Sequence, residues 1–285
     1  MRWVLFSMVF TSCALVLAVS PQVLSARELL VFAGAASQPP MQEVARAFEE
    51  ETGVKVRVTF GGSGYVLSQM IMAKKGDLYF PGSSDFMEAA KKKGVVLPET
   101  ERKVVYLVPA INVQRGNPKG IKGLKDLTIP DLRVAIANPE GVCVGAYAVE
   151  IIERHFTASE KAALRRNLVN YTESCEKTAT AVSLKAVDAV IGWSVFEHWD
   201  PIRIETIPLK PSEVIRVGYL PIAVSRYSDD PALAKRFIEF ILSEKGKAVF
   251  RKYKYFMSPQ EAFEWIGQEK PVGGEYEVPN DWLRK

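Results

Sequence analysis

Residues 29–64 have the sequence LLVFAGAASQPPMQEVARAFEEETGVKVRVTFGGSG, and this stretch decides the fold. Its first five residues are apolar and predict a buried strand. Apolar side chains then recur at helical spacing as far as Gly53, which predicts an amphipathic helix. Residues 54–60 alternate strictly between apolar and polar side chains, which predicts a second strand. A strand, a helix and a strand in this order are typical of a parallel α/β sheet.

The same alternation continues along the chain, but two long apolar segments interrupt it at residues 104–113 and 215–224. Between these segments the strand–helix pattern starts again. We therefore predict an α/β protein of two lobes, each a mainly parallel sheet flanked by helices. Lobe 1 consists of residues 27–109 and 221–285, and lobe 2 of residues 110–220. The two segments that join the lobes predict a hinge that can close around a ligand.

The N-terminus has the pattern of a secretory signal peptide over residues 1–26. Arg2 precedes an apolar stretch at residues 4–19, and the small residue Ala26 marks the expected cleavage site. We therefore expect the mature protein in the periplasm, with an uncleaved membrane tether as the alternative. No later apolar run approaches the ~20 residues that a membrane-spanning helix needs.

Composition narrows the classes of function. The 285 residues carry a formal net charge of +4, and 25% of them are charged, which is ordinary for a globular protein. The positive charges form no arginine-rich stripe with interleaved aromatic residues, so we expect no nucleic-acid partner. No spacing of histidines, cysteines or carboxylates is typical of a metal site, and nothing in the sequence requires a cofactor.

Two serines are the candidate ligand-binding residues in lobe 1. Ser37 and Ser63 each follow a predicted strand and precede a predicted helix. A helix N-terminus offers unpaired N–H groups and a partial positive charge, both of which suit an anion. Glycines around Ser63 let the backbone approach a ligand closely. Either serine alone is explained as a helix cap, but two at corresponding strand ends favour an anion site.

Several segments resemble those of the molybdate-binding proteins of ABC importers, which are type II periplasmic solute-binding proteins. The resemblance extends from about residue 29 to residue 256, in order and with similar spacing. The segments that carry it are VFAGAAS (31–37), VTFGGSG (58–64), GDLYF (76–80), ANPE (137–140) with Gly145, and AVDAVIGW (186–193).

The resemblance implies a two-lobed periplasmic-binding-protein fold that holds a tetrahedral oxyanion with neutral groups from both lobes. By position these groups are the hydroxyl and amide of Ser37 and of Ser63, and the amides of Val144 and Cys175. Trp193 occupies the place of the family's tyrosine, and its indole can donate a hydrogen bond but cannot accept one. Three residues are further candidate contacts: Gly62, Tyr65 and Ser84.

A fully deprotonated oxyanion needs only donors, whereas phosphate carries protons and would favour a carboxylate acceptor. No Asp or Glu stands at the mapped positions, which favours molybdate, tungstate or sulfate. An organic acid would more often recruit arginine. The expected protein is a monomeric binding protein, not an enzyme, that delivers its anion to the permease of an ABC transporter. Another oxyanion such as sulfate or phosphate, a small organic acid, an exported cysteine hydrolase and a sensor module stay open as alternatives.

Cys143 and Cys175 flank the ligand loops of lobe 2 and allow two hypotheses. A disulfide between them would stiffen that half of the site. A cysteine nucleophile would instead need a histidine base nearby. The two histidines of the chain, His155 and His198, lie outside the segments that contain the cysteines, which favours the disulfide.

Overall fold

The structure, a computed structural model, describes residues 28–283. The signal peptide predicted for residues 1–26 lies outside this range. The strands are β1 (Glu28–Gly34), β2 (Lys55–Gly61), β3 (Leu78–Phe80), β4 (Arg102–Leu107), β5 (Pro109–Gln114), β6 (Val134–Ala137), β7 (Leu168–Thr172), β8 (Ala189–Trp193), β9 (Ile204–Pro208) and β10 (Gly218–Val224). The helices are α1 (Gln38–Thr52), α2 (Ser63–Ala73), α3 (Ser84–Lys92), α4 (Cys143–His155), α5 (Ala158–Asn167), α6 (Cys175–Ser183), α7 (Phe196–Trp199), α8 (Pro231–Leu242), α9 (Glu244–Lys252) and α10 (Pro259–Ile266).

The strands form two five-stranded sheets, ordered β2-β1-β3-β10-β4 and β7-β6-β8-β5-β9. The first three strands of each sheet are parallel. The strands that come from the connections between the lobes, β10 in the first sheet and β5 in the second, run antiparallel to their neighbours. The predicted fold class, a two-lobed α/β protein, is confirmed.

The chain crosses between the sheets twice. It leaves the first sheet at the end of β4 and enters the second at β5, with only Val108 between them. It returns after β9 through residues 209–217, which lead into β10. The bounds predicted for the lobes place residue 220 in lobe 2, but this residue lies inside β10 and pairs with β4 of the first sheet.

Helix α1 shows why the sequence pattern specifies the fold. Its buried residues are those at helical spacing in the sequence: Pro40, Met41, Val44, Ala45 and Phe48. The ring of Phe48 packs edge-on against that of Phe237 in α8, with ring centroids 4.9 Å apart. Gly53 ends the helix in the left-handed conformation, with φ of 69°, which a glycine adopts without strain.

The C-terminal tail falls within the range predicted for lobe 1, but its large apolar side chains are buried in the core of the other lobe. Residues 259–266 form α10, and Ile266 and Trp282 are buried in the same core cluster as Val108 and Ile111. The tail therefore packs largely on lobe 2, because its bulky apolar side chains find their buried positions there. Within residues 28–283, no helix is long and apolar enough to cross a membrane.

Candidate functional site

The sheet register places the two serines at one edge. Strands β1 and β2 are parallel, and Gly34 pairs with Gly61 at their ends. Ser37 and Ser63 follow these glycines by three and two residues, so both lie beyond the carboxyl ends of neighbouring strands. This edge is where ligands bind in open parallel sheets.

The serine side chains do not cap their helices, and each hydroxyl instead forms a hydrogen bond within lobe 1. Ser37 is the N-cap residue of α1, yet its hydroxyl donates to Gly34 O at 3.0 Å. Ser63 is the first residue of α2, preceded by Gly62 as N-cap, and its hydroxyl accepts from Gly82 N at 2.9 Å. Both serines are buried.

Lobe 2 presents the corresponding edge of its own sheet. Ala137 pairs with Thr172 at the ends of the parallel strands β6 and β7, and Trp193 ends β8. The next helices, α4 and α6, begin at Cys143 and Cys175. Val144 is thus the second residue of α4, and its amide is among the N–H groups that have no partner within the helix.

The two cysteines are free thiols in contact, with 3.4 Å between their sulfur atoms. The predicted disulfide is therefore not formed in this structure. The two cysteines are nevertheless close enough to meet, because the N-termini of α4 and α6 lie side by side. The indole N–H of Trp193 lies beside the Cys175 sulfur but forms no hydrogen bond of good geometry.

The edges of the two lobes face each other and touch. A methyl group built on Gly82 of lobe 1 would overlap the Cys143 sulfur of lobe 2. The Gly82 N–H also donates to the Ser63 hydroxyl, so these contacts connect Ser63 through Gly82 to the pair of cysteines. The five predicted ligand residues, Ser37, Ser63, Val144, Cys175 and Trp193, are all at most 1% exposed. The cleft is closed.

The three further candidates lie around this centre. At Gly62, a side chain would press on the backbone oxygens of Gly141 and Glu173, so a glycine permits the lobes to approach. Tyr65 lies at the rim, where its hydroxyl accepts from Asn138 Nδ2 of lobe 2 at 2.7 Å. Ser84 donates its hydroxyl to Gly274 O of the tail at 2.8 Å, so that this hydroxyl already has an acceptor.

Two residues that the sequence reasoning missed have buried polar atoms without a partner. These atoms are the hydroxyls of Ser83 and Tyr147. The Tyr147 ring packs edge-on against Trp193, with ring centroids 4.9 Å apart. Because Tyr147 follows Val144 by three residues in α4, helical spacing could have indicated that it faces the same side.

The groups around the cleft are neutral donors. Burial raises the pKa of the hydroxyls of Tyr79 and Tyr147, and burial followed by the neighbouring Cys143 raises the pKa of the Cys175 thiol. All three groups therefore keep their protons at neutral pH. An anion here would be held by hydrogen bonds and helix dipoles, as the sequence predicts, and not by a formal positive charge.

A buried charged cluster at the hinge is internally paired. Arg216, in the second crossing, binds Asp85 of α3 at 2.9 Å and Glu150 of α4 at 2.8 Å. Its guanidinium lies 4.0 Å from the centre of the Tyr147 ring. One buried arginine thus connects both lobes at the hinge, and its charge is occupied by the two carboxylates.

The geometry does not favour a cysteine nucleophile. His155 ends α4 and His198 lies in α7, and the hydrogen-bond partner of Cys143 is Cys175 rather than either histidine. The raised pKa of Cys175 keeps its sulfur as a thiol, whereas the nucleophile is a thiolate. Within residues 28–283, no group of three or more histidines, cysteines and carboxylates could hold a metal ion.

Comparison with known proteins agrees with this geometry. The family model for bacterial extracellular solute-binding proteins matches residues 29–255. The chain belongs to this family. A putative binding protein of Haemophilus influenzae is 27% identical over 235 residues, which cover 79% of this chain and 89% of the relative.

Two further matches are a named relative and a solved structure. A molybdate-binding protein, ModA, of Mycobacterium tuberculosis is 25% identical over 225 residues, covering 79% of this chain and 82% of the relative. The solved structure of the sulfate-binding protein SubI of the same species covers 91% of this chain and 100% of its own, with a TM-score of 0.76 at 16% identity. The relatives are binding proteins, and the structural likeness concerns the fold.

Proposed function

We propose that the closed cleft captures a tetrahedral oxyanion, molybdate or tungstate in the first place, for an ABC importer. The ligands are the hydroxyls and amides of Ser37 and Ser63, the amides of Val144 and Cys175, and the indole N–H of Trp193. The protein carries the anion through the periplasm to a membrane permease, acts as a monomer and catalyses no reaction.

The observation that supports this proposal best is the set of buried donors without acceptors. Trp193 Nε1, Tyr147 Oη and Ser83 Oγ are buried without a hydrogen-bond partner, and such a group costs about 1–3 kcal/mol. The Tyr147 ring packs against Trp193, and Ser83 follows Gly82, which contacts Cys143 at the start of α4. An anion bound between the lobes would supply acceptors to these groups and lie at the positive ends of four helix dipoles.

The number of donors fits the affinity that a scavenging receptor needs. A hydrogen bond to a charged group contributes about 1.5–3 kcal/mol. Micromolar to nanomolar binding requires about 8–12 kcal/mol. Five to seven such bonds are sufficient even after the loss of motion on binding is subtracted.

Molybdate is supported by the relative from Mycobacterium tuberculosis named as a molybdate-binding protein. Sulfate is the second candidate, because the sulfate-binding protein SubI shares the fold over 91% of this chain. Both anions are fully deprotonated near neutral pH and need only donors. Titration calorimetry with molybdate, tungstate, sulfate and phosphate separates the candidates. If only sulfate binds, sulfate and not molybdate is the ligand. If none of the four anions binds, the oxyanion proposal is wrong.

The serines provide the first test of the site. Ser37→Ala and Ser63→Ala each remove one donor to a charged ligand, so each should weaken anion binding about 10- to 150-fold. Ser212→Ala is the matched control, because Ser212 is exposed in the turn Pro211–Glu213 and is not among the proposed ligands. If both cleft variants bind as tightly as the control, the serines do not hold the anion.

A further inference from the structure

The proposed anion site uses only the backbone amide of Cys175 and no atom of Cys143, so the two thiols have no role in it. Both are buried, and their sulfur atoms are 3.4 Å apart. Each cysteine is the first residue of a helix, and the proposed site uses amides from the first turns of both helices. A change in this pair therefore acts directly on the donors of lobe 2.

We propose that Cys143 and Cys175 form an oxidation site whose state controls anion capture: the dithiol form binds the anion and the disulfide form releases it. This inference rests on the proposed function for its effect on binding. Formation of the disulfide itself rests only on the position of the two cysteines.

The oxidation is a two-electron exchange with a small-molecule disulfide. The thiolate of Cys143 attacks one sulfur of the reagent and expels its other half as a thiol. When the lobes separate, Cys175 is no longer buried and can lose its proton, and the resulting thiolate attacks the Cys143 sulfur and expels the second half. Two S–H bonds of the protein are lost, one S–S bond forms, and the two protons end on the two reagent thiols. The protein pair is oxidised and the reagent disulfide is reduced.

Access to the pair depends on the hinge. The Cys143 sulfur packs against Gly82 of the opposite lobe, and both thiols are 1% exposed in the closed cleft. A reagent reaches them only when the lobes separate. A bound anion favours the closed state, so it should slow the oxidation.

The disulfide alters the geometry of the site. A disulfide bond is about 2.05 Å long, so its formation draws together two sulfur atoms that are 3.4 Å apart. We expect the starts of α4 and α6 to shift with them, so that the amides of Val144 and Cys175 leave the positions that suit the anion. The sulfur of Cys143 also leaves its contact with Gly82, which loosens the closed state.

The first experiment compares anion binding in the two oxidation states. The full chain is reduced with dithiothreitol or oxidised with oxidised glutathione, the state is verified by intact mass, and molybdate, tungstate and sulfate are titrated by calorimetry. We expect the oxidised protein to bind at least about tenfold more weakly, the loss of one charge-assisted hydrogen bond. Equal or tighter binding by the oxidised protein, or a pair that stays reduced in excess oxidant, would overturn the proposal.

The matched variants are Cys143→Ser and Cys175→Ser, which cannot form the bond. The anion affinity of each variant should be the same with and without oxidant. If the oxidant still weakens binding in these variants, the effect does not come from a disulfide between Cys143 and Cys175. If either variant fails to fold, the wild-type chain provides an independent measurement. The rate of disulfide formation should fall at least about tenfold at saturating anion, because the bound anion favours the closed cleft, in which both cysteines are buried and the oxidant cannot reach them.

The outcomes separate this inference from the proposed function. If the reduced protein binds none of the anions, the oxyanion proposal fails, and with it the effect on capture. Oxidation of the pair is still decided by the intact mass. If the reduced protein binds an anion but neither affinity nor oxidation rate responds to the other, the proposed function stands and the redox inference is wrong.

Discussion

Gly82 lies where the lobes touch, and its lack of a side chain permits that contact. A methyl group at this position would overlap the Cys143 sulfur and lie 2.9 Å from Ala36 Cβ. Its N–H also donates to the Ser63 hydroxyl at 2.9 Å. Gly82 thus connects one predicted anion ligand to the opposite lobe.

Gly82→Ala should therefore weaken anion binding about tenfold or more, because overpacking of a close contact costs about 1–3 kcal/mol and here opposes closure. Calorimetry on the reduced protein measures the effect. Gly123→Ala is the matched control, since no heavy atom lies within 4 Å of a methyl group there. An unchanged affinity in Gly82→Ala would show that closure does not require this contact.

At this scale the sequence predicts some of the site and not the rest. Ser37 and Ser63 are predictable because a strand followed by a helix places them at a sheet edge. Gly82 and Ser83 are not, because their importance arises from contact with the other lobe and with buried neighbours far away in the chain. The pairing of Cys143 with Cys175 is an intermediate case: the resemblance brings them near each other, and only the structure shows them as separate thiols.

Among the elements, α3 and α4 are connected across the hinge by Arg216. Its side chain is buried between Asp85 of α3 and Glu150 of α4. A buried ion pair contributes little net stability, but the loss of one partner leaves unpaired charges in the interior.

Arg216→Met should lower the free energy of unfolding by about 3–5 kcal/mol, because two carboxylates lose their common partner. Chemical denaturation measures this loss, provided that the m-value, the dependence of the unfolding free energy on denaturant concentration, is the same for the variant and the wild type. Arg203→Met is the control, since Arg203 is exposed and pairs with Asp200 at 3.5 Å, an arrangement worth at most about 1 kcal/mol. Equal losses in the two variants would show that the Arg216 cluster is no more important than a surface pair.

Element prediction succeeds where periodicity is strong and fails where burial is partial. Helix α1 is recognisable because one face is apolar and Gly53 ends it. Strands β7 and β9 cannot be recognised from the sequence, because each is an edge strand with largely half-exposed or exposed residues and no strict alternation. The apolar run at residues 104–113 suggests one long element, whereas the chain changes sheets at Val108, which hydrophobicity alone does not reveal.

On the scale of the whole molecule, the tail joins the lobes outside the hinge. On lobe 1, Glu275 pairs with Lys92 at 2.6 Å, and Tyr276 N donates to Asp85 at 3.0 Å. On lobe 2, Trp282 is buried and donates from Nε1 to Glu153 at 2.8 Å. One segment thus contacts both lobes while the cleft is closed.

Removal of residues 275–285 should therefore shift the protein without ligand towards open forms. The contacts that are lost favour the closed state. Each loss of about 1.4 kcal/mol from these contacts lowers the ratio of closed to open molecules tenfold. We expect a larger radius of gyration by small-angle scattering without anion and a smaller difference from wild type at saturating anion. Lys92→Ala, which removes only an exposed ion pair, should leave the radius unchanged. A truncated chain as compact as wild type without anion, with its fold verified by circular dichroism, would mean that hinge and cleft contacts alone keep the lobes together.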